Sequence, residues 1–174
     1  MSYAIAATAR LRGWVRSAGV RAVVAAAALA FATAAPADPA AADALLQQAG
    51  DTHQLAVSAL RAGAASQQQG QTEMAKEHYH QSYQIVAALY GTLDELDAAN
   101  QDTLARGLYR DRAALERAIA LGATAQAQIR GNVLPPIAGL TGDPDRLPLY
   151  QQAQQGLIRV ARTLSELRVA LDAS

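Results

Sequence analysis

Residues 72–90 read TEMAKEHYHQSYQIVAALY, and the spacing of their apolar and small side chains decides the fold class. Ala75, Tyr79, Ser82, Val86 and Leu89 recur at intervals of four, three, four and three, which places them on one face of a 3.6-residue period. His78 and Ile85 flank that face on one side, Tyr83 and Tyr90 on the other. Thr72 follows the breaker Gly70 and reads as an N-cap, with Glu73 near the positive end of the helix dipole. Gly91 reads as the stop, because glycine tolerates the left-handed conformation in which helices often end. Two of the three histidines and three of the six tyrosines lie in this one stretch, so it gathers most of the side chains able to carry specific recognition.

Outward from it, the same periodicity continues. Upstream, Asp38-Pro39 reads as N-cap and first helical position. The helix that follows sets Leu46, Ala49, His53, Val57, Leu60 and Ala64 on one face, and Gln67-Gln68-Gln69-Gly70 supplies a polar turn. Downstream, Thr92-Leu93-Asp94-Glu95 has the form of a capping box for a new helix, with Leu93 and Leu96 inward. Asn100-Gln101-Asp102 is expected to kink or divide it. Leu104, Leu108, Leu115, Ala118 and Ile119 make a further stripe. Residues 131–148 hold four of the six prolines and are expected to form a long irregular connection. The last helix, about 149–171, is the cleanest, with Tyr150, Ala153, Leu157, Val160, Leu164, Leu167 and Leu171 in a near-heptad repeat. The expectation is an all-α antiparallel bundle of four or five helices, in a single domain over residues 38–174. Alanine-rich composition with few aromatic residues favours the same class.

The first 37 residues differ from the rest. Four arginines (Arg10, Arg12, Arg16, Arg21) precede the apolar run 22–35, and no acidic residue occurs before Asp38. That run is shorter than the roughly 20 residues a membrane span needs. A basic start, a short apolar run and small residues at its exit describe a secretory signal, with cleavage expected after Ala34 or Ala37. Membrane attachment would then arise only if this segment stayed uncleaved. The expected location is the periplasm or the exterior of the cell. With no cysteine, disulfides, thiolate metal sites and covalent c-type haem are excluded.

The whole chain is formally neutral, with 15 basic and 15 acidic residues, but unevenly so. Residues 38–102 carry two bases against nine acids, and residues 103–174 carry nine bases against six acids. No basic footprint for nucleic acid is present in the exported part. The asymmetry suits an acidic and a basic half brought together by folding, or a charged face offered to a partner.

The first hairpin resembles the tetratricopeptide repeat. Gly63, Gly70, Ala75, Tyr79 and Ser82 fall at that repeat's spacing: a small residue in the first helix, glycine at the turn, then Ala-x3-Tyr-x2-small in the second. The resemblance covers one repeat of about 34 residues and implies an antiparallel helical hairpin. Ser66 stands where the family has tyrosine, the aromatic early in the first helix and the terminal proline are lacking, and no second copy follows. The plainer reading is a generic hairpin with small residues at its crossing.

Candidate chemistry is sparse. Glu77 and His80 make one Glu-x-x-His pair, whereas ferritin-like di-iron sites need two and further carboxylates. Glu73, Glu77 and His80 could hold a divalent ion at a surface, but such a set reads first as a solvated face. His78 and His80 project roughly 200° apart on a helix and cannot both bind one ion. No serine stands at a strand-to-helix elbow, and no phosphate loop or dinucleotide fingerprint occurs. The expectation is therefore a non-enzymatic binding or scaffold protein without cofactor, touching another protein through Tyr83, Tyr90 and His80. The alternative is a periplasmic carrier of metal or haem using His53, Met74, His78 or His80, with His53 otherwise a hydrogen-bonded core histidine.

Overall fold

The computed structural model describes residues 39–174, and the signal segment expected over residues 1–37 lies outside them. The described chain is all-α. Its elements are α1 (Pro39–Gln68), α2 (Thr72–Arg106), α3 (Arg112–Gln128), a π-helical turn (Ile129–Val133), α4 (Leu134–Gly142) and α5 (Leu147–Ala173). The π turn joins α3 to α4 without a break, so the five α-helices form four rods.

Cross-helix contacts set the register. Ser82 Oγ donates to the Ala56 carbonyl at 3.0 Å, and Gly63 lies against the Tyr79 ring, so α1 and α2 run antiparallel from the turn at Gly70. Asp94 accepts from Gln126, and Tyr90 from Arg130, so α3 returns along α2. Thr163 donates to Gln128, and Gly156 and Leu149 meet Asn132 and Gly139, so α5 descends along α3 and α4. Asp43–Arg168 and His53–Leu157 advance along α1 while retreating along α5, and Gln67 meets Asp145 in the connection just before α5, which closes the square. The result is an up-and-down antiparallel bundle with short connections.

The expected inward faces of α2 and α5 are the buried ones. Ala75, Tyr79, Ser82, Val86 and Leu89 are buried, as are Ala153, Leu157, Val160, Leu164 and Leu167. On α1 the buried line is rotated from the expected one: Leu46, Ala49 and Leu60 are in it, but Ala42, Ala56, Gly63 and Ser66 complete it, and His53, Val57 and Ala64 stand at its edge. Small residues bury little area each, but they let backbones approach, and the Tyr79 ring fills the space that Gly63 leaves.

Three boundaries differ from expectation. First, α2 runs straight through Gly91 and through Asn100-Gln101-Asp102, ending at Gly107 in the left-handed region (φ 69°). The stripe Val86, Leu89, Leu93, Leu96, Asn100 stays in phase, so packing carries the helix past the glycine. Thr92 forms no capping box there; its hydroxyl donates back to the Ala88 carbonyl. Second, Gln71 and not Thr72 occupies the N-cap of α2, without a side-chain bond. Third, most of residues 131–148 is helical, and only 143–146 connect α4 to α5. Pro135 and Pro136 fall in the first turn of α4, where a missing N–H costs least. Neither can donate to the carbonyls of Gly131 and Asn132. The Leu134 N–H reaches back five residues to Ile129, giving the π turn. Val133, Ile137 and Leu140 are fully buried and belong to the core. No helix among the described residues is long and apolar enough to cross a membrane.

Candidate functional site

The π turn has a consequence at the surface. It places Arg130 against Tyr90 of α2, with Nη2 donating to the phenol oxygen and the guanidinium carbon 5.3 Å from the ring centroid. A cation at that distance is attracted by the ring quadrupole. Tyr90 and, two turns earlier, Tyr83 are half-buried and pack against the core while remaining within reach of solvent. A phenol at a core edge keeps its ring apolar and its hydroxyl wet. His80 is exposed on the same helix, and Gln84 Nε2 donates to its Nε2 at 2.9 Å. Tyr83 and Tyr90 thus share an edge, Arg130 covers its Tyr90 end, and His80 lies a turn from Tyr83 on the solvent side.

Arg130 escaped the sequence reading. Its signal was present as a cation immediately before Gly131, but treating residues 131–148 as a loop left no register by which to bring it to Tyr90.

His53 is placed apart from the other residues of the carrier alternative, which lie together on α2. His53 Nε2 lies 2.9 Å from the Leu157 carbonyl. A carbonyl only accepts, so that nitrogen carries the proton and ties α1 to α5. The Ser82–Ala56 contact sets His53 opposite the region of Ile85, about 10 Å along the axis from His78 at 1.5 Å rise per residue. His78 is half-buried, Met74 is 52% exposed, and His80 is engaged by Gln84. Glu73, of the set Glu73, Glu77 and His80, pairs with Lys76 at 2.8 Å, as on a solvated face. Among the described residues, no group of three or more histidine or acidic side chains gathers as a metal site.

The uneven charge finds one cross-helix expression among the described ion pairs: Asp43 of the acidic half meets Arg168 of the basic half at 3.8 Å. The pairs Lys76–Glu73, Arg106–Asp102 and Arg112–Glu116 each stay within one helix or its first turn. Exposed pairs of this kind contribute little to stability. No protein family, no curated protein and no solved structure compared with the chain matches it.

Proposed function

We propose that this chain is a non-enzymatic, exported binding or scaffold protein that acts through protein–protein contacts. The contact surface is the edge formed by Tyr83, Tyr90 and Arg130, with His80 at its margin. What carries this reading is the Arg130–Tyr90 stack at the π turn. Tyrosine and arginine dominate the energetics of protein interfaces, and both are already ordered here, which lowers the entropic cost of docking. Single-turn π segments inside α-helices often mark functional positions. The exported location, periplasmic or secreted, rests on the basic and apolar character of residues 1–37.

The test is affinity capture from the exported fraction with the wild type and with Tyr90→Ala and Tyr83→Ala, followed by binding measurements on the purified partner. The expected outcome is a stoichiometric partner whose affinity falls at least tenfold in Tyr90→Ala, since a central tyrosine is worth about 2 kcal/mol or more. A partner that binds both variants as tightly as the wild type removes this surface from the interface. One equivalent of metal or haem in purified protein, lost in His78→Ala or in His80→Ala but not in both, replaces the scaffold reading with the carrier.

A further inference from the structure

About 15 Å further along α2 than Tyr90, at 1.5 Å per residue, the bundle ends in an open cleft of about 670 Å³. The start of α1, the ends of α2 and α5 and the connection between α2 and α3 line it. Its volume lies within the roughly 300–1,000 Å³ of small-molecule sites.

Asn100 is the informative residue. It continues the core stripe of α2 after Leu89, Leu93 and Leu96, and it is 2% exposed. Among the described residues its side-chain amide forms no hydrogen bond, and its polar atoms are not sealed in the core but open to the cleft, although a primary amide offers two donors and an accepting oxygen. Asparagine at such a position forfeits the area a leucine would bury and turns a primary amide, rather than a methyl group, toward the cleft. One turn on, Thr103 donates its hydroxyl proton to the Ala99 carbonyl at 2.9 Å, so its oxygen remains an acceptor. Leu115 and Leu171 supply an apolar wall.

The rim carries both signs of charge. Arg110 and Asp172 are exposed, and neither has an ion-pair partner among the described residues. The connection that bears Arg110 is held in place by its own backbone, because the N–H groups of Arg110 and Asp111 both donate to the Ser174 carbonyl oxygen.

We propose that this cleft binds a short zwitterionic peptide, of two or three residues with an apolar side chain. Its peptide group pairs with the Asn100 amide, donor to acceptor and acceptor to donor. Its carboxylate meets Arg110, its ammonium meets Asp172, and its side chain packs on Leu115 and Leu171. A peptide is the simplest ligand that carries an amide edge together with an ammonium and a carboxylate, and the cleft lining offers a complement to each of the three. This site is independent of the tyrosine edge, and each can fail without the other.

The experiment is calorimetric titration of the full chain with glycyl-leucine, and with N-acetylglycyl-leucinamide, which keeps the amide and loses both charges. Saturable one-to-one binding of glycyl-leucine is expected, weakened about tenfold or more in Asn100→Leu. Arg110→Ala and Asp172→Asn are expected to weaken it several-fold each, as blocking the ligand's termini does. Absence of saturable binding by the wild type overturns the proposal. So does Asn100→Leu binding as tightly as the wild type, or the blocked peptide binding as tightly as the free one. Should Asn100→Leu fail to fold, the side-chain amide resonances of Asn100 in the wild type decide the matter: they shift on adding glycyl-leucine, and unmoved resonances overturn the assignment.

Discussion

A large ring can be buried in an alanine-rich bundle only where a facing residue gives up its side chain, and Gly63 does this for Tyr79. A β-carbon built on Gly63 would sit 2.5 Å from Cε1 of Tyr79, and the ring itself is 1% exposed. Burial, and secondarily the neighbouring Tyr150, push the Tyr79 phenol above its ordinary value of 10.0. A group whose pKa is raised on folding supports the fold fully below its unfolded pKa and loses that support as pH rises through the folded one. The stability from a neutral Tyr79 is therefore intact below about pH 10 and is lost progressively above it. Tyr79→Phe keeps the ring against Gly63 and removes the titration. Urea denaturation from pH 8 to 11 is expected to show the wild type losing more stability than Tyr79→Phe across the alkaline half. Identical slopes would mean that the phenol ionises freely in the folded state.

At the scale of elements, glycine and proline were the residues whose meaning the sequence left open. The stripe of α2 was legible from Ala75 to Leu89, and that of α5 along its whole length, because both are long, in phase and uninterrupted. Gly91 broke the reading of α2 although Leu93, Leu96 and Asn100 keep the same phase beyond it. Local chemistry permits a stop at glycine, and only the neighbouring rods decide that the helix continues. The same confusion hid the cleft, since Asn100 read as a kink and not as a polar residue on a core stripe. Pro135 and Pro136 broke the reading of the third rod, and Arg130 was lost with it. Two glycines now separate the roles. A β-carbon on Gly91 meets nothing within 4 Å, and its φ is not positive. Gly91→Ala is therefore expected to stabilise by about 0.5–1 kcal/mol through helix propensity. On Gly156 the added carbon would lie 2.6 Å from the Asn132 carbonyl oxygen and 2.8 Å from Val133 Cγ2, at the π turn. Backbone does not yield as a side-chain tip does, so Gly156→Ala is expected to destabilise by about 1–3 kcal/mol. Chemical denaturation reads both, and shifts of the same sign would contradict the continuous α2 or the close α5–π contact.

For the whole molecule, closure of the square matters more than any single pair. Every rod has two neighbours, so each must bury two flanks, and α1 does so mostly with alanine beside Leu46 and Leu60, while α5 sets Leu157, Val160, Leu164 and Leu167 among smaller residues. The fold class was readable from the sequence because period and loop signals agreed. The closing contact of α1 with α5 was not, because His53–Leu157 and Asp43–Arg168 join residues more than a hundred positions apart. Stability should accordingly concentrate on the inward face of α5, the rod that completes the square. Leu164, 7% exposed, lies at the centre of that face, and Gln155 is exposed on the other. Leu164→Ala removes buried methyl groups from the core and leaves a cavity that the packed rods can only partly close, and is expected to cost about 2–5 kcal/mol. Gln155→Ala is expected to stay within about 0.5 kcal/mol of the wild type. In urea the first should lower the midpoint with the slope unchanged, since the surface exposed on unfolding is nearly the same. Equal midpoints for the two variants would place α5 in the bundle with the wrong face inward, and a reduced slope for Leu164→Ala would mean that α5 detaches before the other three rods unfold.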